Sequence, residues 1–430
     1  MKRYSTYKDS GVKWIGEIPS HWKINILKRF SESITTGATP STNQNAFWES
    51  EDYNWYTPGD FTASRIDLNQ SNRKISMKAV ESGKCKIFPP QTVMMIGIGG
   101  TLGRIGITNI VCSANQQITG ISLKRNTNSR FAAYFLLSIN DFIKAISNSS
   151  TLPILNQTRT EKLPFIFPPL SEQRAIVSFL DTELGKIDTY MDKEQQLIEQ
   201  LKELKQSVIA RAVTRGINPN VRMKPSGVNW IGEIPEHWKV KSLRNFLTIT
   251  SEKGYPEEQL LSVVREQGVI IRNVDSKEEN HNFVPDDLSG YKLVKEGQFV
   301  INKMKAWQGS YAVSGYRGIV SPAYYTCDLK FVNKEYFNVA VRSKAYVPFF
   351  TQYSKGIRVG QWDLSPIGLK EIPFLLPPAS EQRAIVDYIS SATSKIDKLI
   401  SEKTKEMEYM KELRQRIISD AVTGKIDVRS

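Results

Sequence analysis

The chain is written twice. Gly11-Val12-Lys13-Trp14-Ile15-Gly16-Glu17-Ile18-Pro19-Ser20-His21-Trp22-Lys23 returns as Gly227-Val228-Asn229-Trp230-Ile231-Gly232-Glu233-Ile234-Pro235-Glu236-His237-Trp238-Lys239. Pro168-Pro169-Leu170-Ser171-Glu172-Gln173-Arg174-Ala175-Ile176-Val177 returns as Pro377-Pro378-Ala379-Ser380-Glu381-Gln382-Arg383-Ala384-Ile385-Val386. The order is therefore A–X–B–A–Y–B, and the intervening segments X and Y have little sequence in common. A period of about 210 residues is too long for a solenoid and signifies two copies of one module. Near-identical parts imply a shared structural task. Divergent parts imply contact with different things.

The B segments predict long helices, from Ser171 to about Arg215 and from Ser380 to about Thr423. Pro-Pro blocks backward extension, the following Ser is a good N-cap, and Glu172 or Glu381 in the first turn suits the helix dipole. Apolar residues recur in steps of three and four. In the first segment they are Leu180, Leu184, Ile187, Met191, Ile198, Leu201, Val208 and Ala212; in the second, Ile389, Ile396, Ile400, Met407, Met410, Ile417 and Ala421. This is a coiled-coil seam. The registers coincide under a displacement of 209 residues (Ser171 to Ser380), with polar defects at matching places, Glu194 with Lys403 and Lys205 with Arg414. Matched registers predict that the helices pair antiparallel and act as a rod, each about 60 Å long at 1.5 Å per residue. Two separate amphipathic helices, each on its own domain, are the alternative.

X and Y read as α+β. Strand-like runs are Lys86–Phe88, Thr92–Ile96 and Gln117–Leu123 in X, and Gly268–Ile271, Gln298–Ile301 and Tyr324–Leu329 in Y, with helical stretches near 130–146 and 334–350. Ile105-Gly106-Ile107 before Ser113-Ala114 echoes Gly318-Ile319-Val320 before Ser321-Pro322-Ala323. The expected fold class is α+β: two α/β domains separated by two long antiparallel coiled-coil helices, in a pseudo-two-fold repeat. The segments are a first repeat element at 1–23, X at 24–167, a helix at 168–216, a linker with the second repeat element at 217–239, Y at 240–376 and a helix at 377–430.

Lys and Arg number 58 against 44 Asp and Glu, a net charge of +14, which favours a polyanionic partner. The first residues lack the apolar run of a secretory signal, and the longest apolar stretch, Val93–Ile98, is far short of a bilayer span. Cys85, Cys112 and Cys327 form neither a disulfide framework nor a zinc set. A cytoplasmic protein with no membrane partner is expected.

Candidate DNA contacts are planar polar, cationic and aromatic residues on expected loops, because Arg and Lys suit phosphates and guanine edges while Asn and Gln suit adenine edges. In X these are Thr36, Thr39, Tyr56, Arg65, Arg73, Lys74, Arg104, Asn115 and Gln116. In Y they are Arg265, Arg272, Lys303, Lys305, Trp307, Gln308, Arg317, Lys355 and Arg358. For each, an ordinary solvated surface role is the competing reading.

No catalytic or metal site is expected. There is no Gly-x-x-x-x-Gly-Lys-Ser/Thr loop, and Gly97-Ile98-Gly99-Gly100-Thr101-Leu102-Gly103 misses the dinucleotide-binding spacing and reads as a turn between strands. The Pro-Pro pairs lack the flanking residues of an adenine methyltransferase motif. His21 and His237, duplicated beside Trp, read as packing, and His281 stands alone.

The two duplicated blocks, together with Ala421-Val422-Thr423-Gly424-Lys425-Ile426, resemble the repeated regions of type I restriction-modification specificity subunits. The resemblance covers the whole length. It implies that X and Y are target recognition domains, each reading half of a split DNA site in the major groove. It also implies that the helices space them and dock two methyltransferase and two restriction (translocase-nuclease) subunits. S-adenosylmethionine, ATP and Mg2+ would sit on those partners, with no cofactor in this chain. Thr36-Gly37-Ala38-Thr39-Pro40 and Trp55-Tyr56-Thr57-Pro58-Gly59-Asp60 strengthen the resemblance in X; Y lacks both strings. The first helix ends Val213-Thr214-Arg215-Gly216 instead of Val-Thr-Gly-Lys, which is expected to affect only the linker. A self-contained DNA methyltransferase or nuclease, and a coiled-coil scaffold without a DNA role, are the alternatives.

Overall fold

The structure is a computed structural model and describes residues 2–62, 65–147, 153–273, 284–356 and 362–429. Two compact units are present, one formed by residues 1–195 with 405–430 and the other by 196–404. Both long helices contribute to both units. The first runs Leu170–Arg215 and the second Ala379–Val422.

In the first unit, X is built on a five-stranded sheet in the order Ser31–Thr36, Ile118–Leu123, Val93–Ile96, Ile105–Thr108, Asp67–Leu68. Only the last pair is parallel. Tyr53–Tyr56 forms a smaller sheet with Cys112–Ala114 and Lys74–Ile75. The central strands are buried along their length, so apolar residues stand at consecutive positions instead of alternating. Helix Ser129–Ser138 packs Phe131 and Phe135 into this core, and its Arg130 bridges Asp67 of the sheet (2.5 Å) and Asp181 of the first long helix (2.8 Å).

In the second unit, Y has a four-stranded antiparallel sheet in the order Leu247–Thr250, Tyr324–Leu329, Phe299–Asn302, Tyr311–Val313. This is the strand order of the first four strands of X, so the two unlike sequences have one fold. It also corrects the expected echo. By position in the sheet, Ile105–Thr108 answers to Tyr311–Val313, whereas Gly318–Val320 answers to Cys112–Ala114. Ile319 bridges Leu260 in parallel just as Cys112–Ala114 runs parallel to Tyr53–Tyr56. A shared Ile-Gly pattern had suggested the wrong partner. The expected strand at Lys86–Phe88 is reduced to one bridge, Phe88 with Cys112.

Each long helix starts one residue earlier than expected. Leu170 and Ala379 are already helical, so Ser171 and Ser380 lie inside the first turn and do not cap it. The carbonyls of Pro169 and Pro378 accept from the backbone N–H of Gln173 and Gln382, both at 3.0 Å. The same glutamines donate side-chain bonds to the carbonyls of Pro168 and Pro377, both 2.9 Å. This duplicated fastening explains the Gln of the repeated block.

The helices meet antiparallel inside each unit. In the first, Leu180, Leu184, Ile187 and Met191 of the starting helix share one core with Met410, Ile417, Ile418 and Ala421 of the ending helix. In the second, Ile209, Ala212 and Val213 share a core with Ile385 and Ile389. Ile198 and Ile396 are buried, and Leu201, Ile400 and Met407 half-buried. Two of the polar positions that interrupt the seam, Lys205 and Arg414, are in ion pairs. Lys205 contacts both carboxylate oxygens of Asp397 at 2.7 Å, and Arg414 lies 3.4 Å from Asp188. Lys205 and Arg414, and likewise Asp188 and Asp397, are each displaced by 209 residues. The two pairs are thus one interaction made twice.

Candidate nucleic-acid interface

Each repeat element is fastened to the start of the helix that follows its variable segment. Trp22, fully buried, donates its indole N–H to Glu172 (2.9 Å), and His21 Nε2 lies 2.7 Å from the same carboxylate. Trp238 and His237 do the same with Glu381, at 2.9 and 2.8 Å. A buried indole N–H needs an acceptor. The histidines are therefore tied into a structural carboxylate, as their duplication suggested. The far end of the other helix closes over this anchor. Gly424 (φ +74°) packs on Pro19 and Trp22, and Gly216 (φ +72°) on Trp238 and Pro235. The Arg215-Gly216 departure thus shifts the turn by one residue but keeps a glycine in the left-handed conformation at the indole.

Beside these anchors each unit has a cleft along the end of a long helix. In the first it is lined by Glu412, Arg416, Asp420 and Lys425; in the second by Leu204, Arg211, Arg215 and Trp230. Arg211 and Asp420 are repeat-equivalent positions.

In X, three loops converge. The 36–40 loop crosses the 114–117 turn so closely that a Cβ on Gly37 would lie 2.3 Å from the Ala114 carbonyl, so only glycine fits. The Thr39 hydroxyl bonds to the Gln116 side chain, and the Trp55 indole donates to the Ala38 carbonyl (3.1 Å). Thr57 and Asp60 form a capping box, and the other carboxylate oxygen of Asp60 accepts from the N–H of Asn72 (2.7 Å). This sets the next residue, Arg73, over Trp48 and Trp55, with its guanidinium carbon 3.9 and 5.2 Å from the ring centroids. The structure brings Thr36, Thr39, Gln116 and Arg73 into this neighbourhood.

Of the other X candidates, two are buried and three make contacts within the chain. Tyr56 is fully buried, donates its hydroxyl to the Leu68 carbonyl (3.0 Å), and burial raises its pKa. A side chain sealed in that core cannot touch a base. Asn115 is buried and bonds to Gln117 (3.1 Å), so it shapes the turn. Arg104 is half-buried and donates to the Phe61 carbonyl (3.1 Å). Lys74 is paired with Glu51 (2.6 Å), and Arg65 with Asp192 of the first long helix (3.6 Å).

In Y, the 302–308 loop meets the hairpin of Ser354–Lys355 and Asp363–Leu364. Lys303 lies 3.2 Å from Asp363, Trp307 packs on Trp362 with centroids 5.0 Å apart, and Lys355 is the cross-strand partner of Asp363. Lys305 and Gln308 are exposed on the same loop. Arg265 is at a different hairpin tip, whose Arg265 and Glu266 carbonyls both accept from Arg342 (2.9 Å each). Arg272 follows the Gly268–Ile271 strand, and its N–H donates to the Leu260 carbonyl (2.8 Å). Arg317 pairs with Glu258 (2.7 Å). Arg358 and His281 lie outside the described residues.

Sequence reasoning overlooked Trp48, Trp362, Lys253 and Lys292. The pairing of Trp48 with Trp55 had no local signal. Lys292 lies in a strand, Lys292–Val294, and a search confined to loops passes over it. Among the described residues no group of three or more His, Cys, Asp or Glu could hold a metal ion, and no helix is long and apolar enough to cross a membrane.

Comparison with known proteins is consistent across methods. Residues 19–203 match the sequence family described as Type I restriction modification DNA specificity domain. A putative type I restriction enzyme MjaX specificity subunit of Methanocaldococcus jannaschii is 24% identical, over 99% of this chain and 98% of that protein. The type I restriction enzyme MjaIX specificity subunit of the same organism is 27% identical over 57% of this chain, and the match spans little more than half (56%) of that relative. A chain solved in work on complex assembly and conformational transition of the type I R-M system superposes with a TM-score of 0.68. It is 13% identical, and the match covers 95% of this chain and 99% of that one, a likeness of fold.

Proposed function

We propose that this chain is a specificity subunit of the type I restriction-modification family, a non-catalytic reader of a bipartite DNA site, X taking one half-site and Y the other. The observation that carries this reading is the pair of heads with one fold and different surface loops. A shared scaffold with unlike loops is what two readers of unlike sequences require, because base contacts specify while phosphate contacts only position. The net charge of +14 supports a duplex partner.

The paired helices act as the spacer between half-sites and, with the two repeat elements, as the dock for partner subunits. Two repeat-related clefts support two copies of one partner, the methyltransferase subunit, bound in equivalent ways. S-adenosylmethionine would be held by those subunits, and ATP and Mg2+ by the translocase-nuclease subunits of a full restriction complex.

The test is reconstitution. The chain with its methyltransferase subunits is incubated with genomic DNA, and methylated adenines are mapped. A split motif with a gap of fixed length, and no methylation by either component alone, is the expected result. Methyl transfer by the purified chain would favour a self-contained enzyme, and absence of any DNA binding would favour a scaffold.

A further inference from the structure

Three ammonium groups gather at one end of the Y sheet with little to balance them. Lys253 and Lys292 face each other across an antiparallel bridge, an arrangement in which like charges destabilise. Lys303 follows the Phe299–Asn302 strand, its N–H directed at the Ala323 carbonyl, and is close enough to Lys292 to disfavour that residue's charge. Lys292 is half-buried, and its amine donates to the Tyr324 carbonyl at 2.6 Å. An ammonium has three donors, so that bond leaves two. Burial foremost, then Lys303 and Lys253, lower its pKa. Asp363 is paired with Lys303 (3.2 Å), and nearby Glu252 is taken by Lys295 (2.6 Å). Among the described residues no carboxylate lies within ion-pair distance of Lys253 or Lys292.

We propose that Lys253, Lys292 and Lys303, gathered beside the Tyr324 carbonyl, form a binding site for a backbone phosphate of duplex DNA. The proposal rests on the DNA-reading function above and adds a position to it. Packing like charges together raises the energy of the free protein, and a phosphate offsets that cost on binding. The tetrahedral oxygens of a phosphodiester accept from several directions at once, which suits three ammoniums approaching from a strand, a bridge residue and a loop. Such a contact carries no sequence information; it fixes the register in which the 302–308 loop, with Trp307 and Gln308, meets the bases.

The test uses the full-length chain and a fluorescein-labelled random-sequence duplex, with affinity read by anisotropy across a salt series. Lys292→Gln and, separately, the exposed Lys253→Gln are compared with wild type; Lys292→Arg retains the charge. Each Gln variant is expected to weaken binding equally on unrelated sequences. Its log–log salt slope should flatten by up to about 0.9, the whole contribution of one phosphate, so its handicap shrinks by up to about 3.5-fold between about 50 and 200 mM salt. Lys292→Arg should keep the wild-type slope. Folded Gln variants with the wild-type slope overturn this site alone, whereas wild-type chain that ignores DNA at every salt concentration overturns the function beneath it.

Discussion

The twin ion pairs between the long helices allow a comparison in which chemistry is held nearly constant and burial varies. Arg414 and Asp188 have 12% and 21% of their side-chain surface exposed, and Lys205 and Asp397 have 30% and 53%. Replacing Asp188 with Ala takes a carboxylate away from the largely buried Arg414. Breaking one side of a buried pair costs about 3–5 kcal/mol, and the partial exposure here places the expected cost at about 3 kcal/mol. Asp397→Ala frees a lysine whose flexible stem reaches solvent, and the expected cost is about 1 kcal/mol or less. At about 2–4 °C per kcal/mol for a unit of this size, Asp188→Ala should lower the melting temperature by about 6–12 °C and Asp397→Ala by about 4 °C or less. Calorimetry on the full chain is the suitable assay, because two units need not melt as one transition. The double variant Asp188→Ala/Arg414→Ala should be less damaging than the sum of its parts, since both single variants break the same pair. Equal shifts for the two aspartates, or strict additivity in the cycle, would refute the burial argument.

Other expectations concern the anchors and the reading surface. Glu172→Ala strands the buried Trp22 indole N–H and should destabilise the chain by about 1–3 kcal/mol, measured as a fall in melting temperature; Glu172→Gln, which keeps an acceptor, should cost less. Gly424→Val places a branched side chain at positive φ against Pro19, and its melting temperature should fall further than that of a Val substitution at Gly185, where a Cβ meets open space. Arg73→Ala removes a guanidinium oriented by two indoles, and in the reconstituted complex it should relax the X half-site at one base while leaving the Y half-site intact, as read by adenine mapping.

What the sequence revealed followed the physics of each signal. The repeat is a matter of identity, and the long helices rest on a recurring period of three and four, so both were legible. Lys205 and Arg414 looked like defects because a seam read from one strand of text shows only half of each ion pair. The α+β class of X and Y was legible, but their shared strand order was not, because sheet order depends on backbone pairing, which many unlike side chains permit. Tyr56 was misplaced for a related reason: the Tyr53–Tyr56 strand is covered on both faces, so adjacent Trp55 and Tyr56 are both buried and alternation fails as a guide. Arg73 was visible as a cation, but its stacking on Trp48 is a tertiary fact.

The central claim is that two independent readers share one chain, and domain exchange measures it most directly. Residues 24–167 are replaced by the corresponding segment of another family member, residues 240–376 are replaced in a second chimera, and methylated adenines are mapped for both complexes. Each chimera should keep one half-site and the gap length of the parent while acquiring a new second half-site. A chimera in which both half-sites change together, or neither does, would contradict the account.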